Sequence, residues 1–183
     1  TLDSDINILE SWNDEGGNFN HNNKTVDFSS ATGDENGIIT INGATSFYDL
    51  KATGLGGKTL SFGEACNITV TNEMTLSGTD VENPLTVKGT KGGTINVAQN
   101  NIGNYLTLVS ENLPTITNDN ADSEKLFEIC LYSSSDSNEV AKEKNWLVFE
   151  GEMIFTCVGG SDVDDGKYYW TDNANWDNGI HPT

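Results

Sequence analysis

The chain has 183 residues and a formal net charge of −19, with 28 acidic side chains against nine basic ones, every one of them Lys. A surface that acidic and free of Arg excludes the basic face that nucleic acid requires and gives anionic lipid nothing to hold. No apolar run in the sequence approaches the length of a membrane span, so no membrane insertion of this segment is expected.

Hydrophobic residues make up 35% and Gly numbers 19, which suits a thin β-structure with many turns better than a thick helical core. Residues 1–25 are polar, carry Gly16-Gly17 and a run of Asn, and offer only Trp12 and Phe19 as large anchors. They read as an N-terminal cap segment that leads into the main structure. The chain opens with Thr1 rather than Met, which reads as a processed or excised fragment and leaves a secreted origin open.

From residue 26 onward, triplets of apolar, polar, apolar residues recur. They are Val26-Asp27-Phe28, Ile39-Thr40-Ile41, Leu60-Ser61-Phe62, Ile68-Thr69-Val70, Met74-Thr75-Leu76, Leu85-Thr86-Val87, Ile95-Asn96-Val97, Leu106-Thr107-Leu108 and Phe127-Glu128-Ile129. Strand side chains alternate faces, so each triplet turns two side chains inward and one outward. Their first residues fall into step by 21: Val26 to Phe47 to Ile68, Ile39 to Leu60, Met74 to Ile95 to Ile116, and Leu85 to Leu106 to Phe127. The phase slips once, between Ile68 and Met74. Asn36-Gly37, Asn42-Gly43, Gly56-Gly57 and Gly92-Gly93 punctuate the run as corners.

A fixed period in the twenties with short strands is the mark of a solenoid, whose coils cannot bury an apolar face alone and must stack. A sandwich also shows short alternating strands, but sandwich strands do not keep a constant period. The expected fold is therefore all-β: a right-handed parallel β-helix, or β-solenoid, with coils of about 21 residues over residues 26–158. Only Ser137 to Lys144 carries a helical pattern, and it is short and polar. Residues 159–183 form an aromatic C-terminal segment, either a cap or the start of a next repeat.

Several stretches carry a resemblance. Ser11-Trp12-Asn13 followed by Gly16-Gly17-Asn18-Phe19 and Lys24-Thr25-Val26-Asp27-Phe28 resembles a repeat start in large bacterial surface proteins. Those are the adhesin-like, filamentous-haemagglutinin-like or autotransporter-passenger-like chains. Gly57-Lys58-Thr59-Leu60-Ser61-Phe62 and Asn145-Trp146-Leu147-Val148-Phe149 continue the pattern. Asn175-Trp176-Asp177-Asn178-Gly179 with Pro182 looks like the hinge that opens a next unit. The resemblance implies a right-handed parallel β-helix, export to the bacterial cell surface or extracellular space, and a structural or adhesive role. It carries no catalytic residues. Cys157 stands where the resemblance leads one to expect Trp.

Parallel β-helices also host polysaccharide lyases and hydrolases, whose sites need clustered carboxylates with Lys or Arg nearby. Here the outward candidates Asp27, Asp49 and Glu128 are scattered, and His21 and His181 lie in polar or turn segments without a nucleophile pattern. No enzyme is expected. Calcium is the better chemical hypothesis: Asp162, Asp164 and Asp165 before Gly166 place three carboxylates on a turn. The alternative is a solvated acidic loop, and no cofactor is required. Asn118, Asn120, Asp122 and Glu124 alternate in a weaker version of the same pattern.

Tyr168, Tyr169, Trp170 and Trp176 could stack on a carbohydrate or close the open end of the solenoid. Cys66 adjoins a triplet and reads as a small buried apolar residue, whereas Cys130 and Cys157 could pair. Thr40, Thr69, Thr75, Thr86 and Thr107 occupy triplet centres and should point outward, where they match a repeating partner or simply reflect β-propensity on a wet face. The functional expectation is a rigid adhesin-like stalk or surface-presenting solenoid without catalysis. Its partners would be a host or matrix surface, or copies of itself stacked end to end. A self-assembling filament subunit and a carbohydrate-binding module are the alternatives.

Overall fold

A computed structural model describes residues 1–64, 66–97, 101–117, 127–129, 134–135 and 137–148, with the backbone alone at 101–102, 127–129, 134–135, 138–139, 142 and 147–148. The strands run in chain order: β1 (Ile6–Asn7), β2 (Trp12–Asn13), β3 (Thr25–Asp27), β4 (Ile38–Asn42), β5 (Ser46–Ala52), β6 (Thr59–Phe62), β7 (Cys66–Ser77) and β8 (Leu85–Gly89). They continue as β9 (Gly93–Val97), β10 (Asn101–Asn104), β11 (Leu106–Val109), β12 (Thr115–Thr117), β13 (Phe127–Ile129), β14 (Ser134–Ser135) and β15 (Trp146–Val148), with one short helix, α1 (Asn138–Glu143), before the last.

Successive coils pair in parallel throughout and build two sheets. The first runs β1-β3-β5-β7-β10-β13-β15, with β9 and β12 continuing the other half of β7; the second runs β14-β11-β8-β6-β4-β2. The chain is a parallel β-solenoid, as the triplets foretell. In eight of the nine triplets both apolar residues are buried, from Val26 and Phe28 to Leu106 and Leu108; the ninth, Phe127-Glu128-Ile129, lies on β13. Inward columns form by register: Val26, Leu50 and Met74 in one, Ile68, Ile95 and Ile116 in another, and Ile39, Leu60, Val87 and Leu108 in a third. Stacking like on like this way is what removes each coil's apolar edge from water.

The constant step of 21 is corrected. Ile39 over Leu60, Leu85 over Leu106 and Ile95 over Ile116 keep it. Val26 instead lies over Leu50, 24 residues on, and Phe47 over Val70, 23 on. Ile68 lies over Ile95, 27 on, and Met74 over Asn101 rather than Ile95. Phe127 belongs to β13, which pairs with β10 in the first sheet, and not beside Leu106 in the second. The physical reason is that the inward alternation is fixed while corner length is free, because loop closure entropy changes slowly with length. Between the first sheet and the second, the corner shrinks from Thr53–Lys58 after β5 to Tyr105 alone after β10. Tyr105 makes that tight reversal at φ 53.

The phase slip also has a structural origin. The first sheet bends lengthwise into two halves, and β7 runs through both: Cys66–Val70 pair with β9 and Met74–Ser77 with β10. Ile68 and Met74 therefore sit in one strand on two sides of a bend, at Thr71-Asn72.

Corners are tied by side chains. Ser29 Oγ and Thr53 Oγ1 lie 2.9 Å apart in adjacent coils, and Ser77 Oγ accepts the Gly54 N–H at 3.1 Å. Lys58 Nζ donates to the Ala31 carbonyl, and Lys144 Nζ to the carbonyls of Ser110 and Glu111, each 2.8 Å away. Gly89 shows why a corner needs glycine, since a Cβ there would overlap the Asn112 carbonyl of the next coil.

Residues 1–25, expected as a cap, supply β1 and β2 at the edge of both sheets and place Trp12 and Phe19 against the core. At the other end of the described core Trp146 is fully buried and its Nε1 donates to the Pro114 carbonyl at 2.7 Å. The expected short helix forms as α1, where the Ser137 carbonyl accepts the Ala141 N–H at 3.0 Å. Among the described residues no helix is long and apolar enough to cross a membrane.

Candidate functional site

The sequence-derived candidates Asp162, Asp164, Asp165, Tyr168, Tyr169, Trp170 and Trp176 lie outside the described residues, as do Asn118, Asn120, Asp122, Glu124, Cys130, Cys157 and His181. Among the described residues no group of three or more His, Cys, Asp or Glu could hold a metal ion. What the described solenoid offers is its outward faces.

The most regular lies on the half-sheet that contains β9. Asn67-Ile68-Thr69 on β7, Thr94-Ile95-Asn96 on β9 and Thr115-Ile116-Thr117 on β12 lie in register. Each central Ile is fully buried, so the flanking residues face out. Two columns result: Asn67, Thr94 and Thr115; and Ser46, Thr69, Asn96 and Thr117. Rows are about 4.8 Å apart and neighbours along a strand about 6.7 Å apart, as parallel strand geometry dictates. Thr94 Oγ1 donates to Asn67 Oδ1 at 2.9 Å, which fixes two rows to each other. None of the seven side chains is charged, on a chain whose net charge is −19.

The second sheet is less regular. Thr59, Thr86 and Thr107 align outward, but the column beside them reads Thr40, Ser61, Lys88 and Val109. Ser61 there is only 5% exposed, and an ammonium and an isopropyl group break the polar pattern.

The other half of the first sheet carries Asp27, Asp49 and Glu73; Glu73 Oε1 accepts from Thr75 Oγ1 on its own strand at 2.7 Å, whereas the two aspartates are engaged in cross-coil ties. Asp49 Oδ2 accepts from Thr25 Oγ1 at 3.1 Å and its Oδ1 from Asn72 Nδ2 at 2.7 Å. Asp27 sits 3.5 Å from Lys51 Nζ on the next coil, and its Oδ1 accepts the Ser29 N–H at 2.7 Å. Partial burial pushes the Asp27 carboxyl up, but the Ser29 hydrogen bonds and the Lys51 ammonium outweigh it, and its pKa lies below the usual value. Glu128 lies on β13, three strands along the first sheet from β5, which carries Asp49. His21 Nδ1 accepts the Asn23 N–H at 3.1 Å, and its ring packs 5.8 Å from that of Tyr48.

Turn carboxylates are occupied in the same way. Asp34 Oδ1 accepts the N–H groups of Ile38 and Asn36, and Asp80 Oδ1 accepts from Asn83 and Glu82. The Ile38 N–H holds the Asp34 pKa low, and the Asn83 side chain does so for Asp80. Cys66 is buried and free, as its place beside a triplet suggests, and burial pushes its thiol up to about 12.

The expected outward Thr residues all lie between buried neighbours and face away from the core. The triplets pick out Thr69 and Asn96 from the regular array as outward centres. The signal for the rest was present in three triplets centred on Ile; the uniform step paired Ile95 with Ile116 correctly but placed Ile95 over Met74 and so missed Ile68 as its other neighbour. No family model matches this chain, and comparison with curated proteins and with solved structures found no match.

Proposed function

We propose that this chain is an exported bacterial surface or extracellular structural protein: a rigid adhesin-like stalk, or a solenoid that presents a surface, without turnover chemistry. The observation that carries this reading is the parallel pairing of successive coils, among the described residues, around one shared apolar core. Each coil holds its neighbours by backbone hydrogen bonds along the axis, which makes length and stiffness the main product of the fold. Asp49 and Asp27 on the first sheet each bind a side chain of a neighbouring coil, which favours a structural role over a reactive one. The uncharged array of Asn67, Thr69, Thr94, Thr115 and Thr117 is the surface best suited to meet a neutral, hydroxyl-rich matrix, because it offers donors and acceptors without repelling charge. The other expected partner, copies of the chain stacked end to end, is taken up below.

The test is location. Brief protease treatment of intact source cells, followed by mass spectrometry of the released peptides, is expected to yield peptides of this chain in excess over cytoplasmic markers. Release only after lysis would overturn the surface reading.

A further inference from the structure

We propose that residues 14–24 form a strap that acts as a growth stop: they cover an unpaired strand edge at Ser46–Phe47 and so prevent a second copy of this chain from pairing there. At Ser46 and Phe47, β5 has a strand partner on one side only, β7, through Thr69 and Val70. The preceding coil pairs with β5 only from Asp49 onward, through Thr25 on β3. The strap crosses the uncovered side. Among the described residues, none of its groups hydrogen-bonds to the backbone of Ser46 or Phe47. The cover is made of side chains: Phe19 and Trp12 meet edge to face at 4.8 Å, and their rings lie 6.0 and 5.3 Å from that of Phe47, which is fully buried.

The strap is held at its ends. Asp14 N donates to the Asn42 carbonyl at 3.2 Å. Gly43, at φ 90, lets that approach happen, because a Cβ there would overlap the Asp14 carbonyl. The buried Thr45 hydroxyl accepts from Trp12 Nε1 at 3.0 Å and donates to Asp14 Oδ2 at 2.7 Å, while Asp14 Oδ1 takes the Gly16 N–H at 2.9 Å. At the far end Leu2 N donates to the Asn20 carbonyl and Asn22 Nδ2 to the Leu2 carbonyl, each at 2.9 Å.

Covering an edge with a loop, shortening the edge strands and adding charge are the ordinary ways a sheet avoids pairing with another chain. All three occur together at this end. β1 and β2 have two residues each, the strap carries Asp14 and Glu15, and the β5 register shifts between Phe47 and Asp49. With the strap displaced, the occupant is a second copy. Two Ser46–Phe47 edges related by a two-fold axis are self-complementary, each bringing the same open backbone groups and the same phenyl ring. The net charge of −19 opposes that approach, so the pairing strengthens with salt.

Sedimentation across a concentration series in 0.5 M salt (about a 4–5 Å screening length) tests this on the whole chain. The unaltered protein is expected to hold one mass, and Phe19→Ser to rise toward twice that mass with concentration. Gly43→Ala, which pushes the strap off without altering a core side chain, serves as the second variant. Hydrogen exchange at the Ser46 amide, whose N–H faces away from β7, reports whether the edge is open. A variant with a deprotected edge that stays monomeric overturns the proposal, and so does an unaltered chain that self-associates equally well. If both variants lose their far-UV signal, exchange on the unaltered chain decides: strap amides that open only with global unfolding refute a detachable stop. A monomeric, edge-open variant leaves the stalk reading intact, since stiffness does not depend on the strap.

Discussion

Replacing Ile95 by Ala perturbs the solenoid where the argument from register is sharpest. Ile95 is fully buried, with Ile68 in the coil on one side and Ile116 on the other. The change removes three carbons from a column that has no solvent to refill it. At about 0.8 kcal/mol per buried methylene the transfer loss alone is roughly 2.4 kcal/mol. The cavity left between two stacked Ile side chains raises the expected cost to about 3–4 kcal/mol, inside the usual range for such truncations. Its neighbour Thr94 is exposed and holds one side-chain hydrogen bond, to Asn67. Thr94→Ala should therefore cost about 0.5 kcal/mol. Urea unfolding followed by far-UV circular dichroism measures both. Because strand side chains alternate with period two, a one-residue error in register exchanges the two outcomes. A Thr94→Ala cost above that of Ile95→Ala would refute the assigned register.

Other perturbations give equally definite expectations. With Cys130 and Cys157 replaced by Ser, Cys66 should react with a thiol reagent only in denaturant, because burial holds the folded thiol pKa at about 12; rapid reaction of the native chain near pH 8 would contradict its burial. The carboxyls of Asp14, Asp34 and Asp80 are each lowered, chiefly by hydrogen bonds from Thr45, Ile38 and Asn83. A group depressed on folding stabilises above its unfolded value, about 3.9 for Asp, and loses that contribution as pH falls through the folded value. Stability should thus fall below about pH 4, and Asp34→Asn should flatten that part of the profile; an unchanged slope would remove Asp34 from the explanation. Gly89→Ala drives a Cβ into the Asn112 carbonyl and should cost about 1–3 kcal/mol in the same urea assay, with a neutral result showing that the corner can yield.

How much of this was legible in the sequence follows from what each pattern measures. Alternation of apolar and polar residues reports which side chain faces in, and Val26, Ile39, Met74 and Leu106 were readable for that reason. Register between coils is set by corner length, which leaves no trace in alternation. A lone Tyr105 closes one corner and the stretch Thr53–Lys58 another, so the uniform step paired Val26 with Phe47 when its true partner is Leu50. The bend at Thr71-Asn72 appeared only as a slip of phase. The role of the N-terminal segment was half visible. Trp12 and Phe19 stood out as anchors, but nothing in the sequence tied Asp14 to Thr45 or showed Gly43 as the place where the strap passes. The aromatic and acidic C-terminal candidates rested on composition alone, and they fall outside the described residues.

Pulling single molecules by their two termini tests the central claim most directly. In a solenoid each coil contacts only its neighbours, so force applied at the ends should peel coils one after another. Each released coil of 21–27 residues should lengthen the chain by roughly 70–95 Å, at about 3.3–3.6 Å per residue. A series of such steps is the expected result, and Ile95→Ala should weaken the steps of the coils it joins. A single release of the whole length at one force, with no coil-sized steps in any trace, would contradict the account of a stalk built from stacked coils.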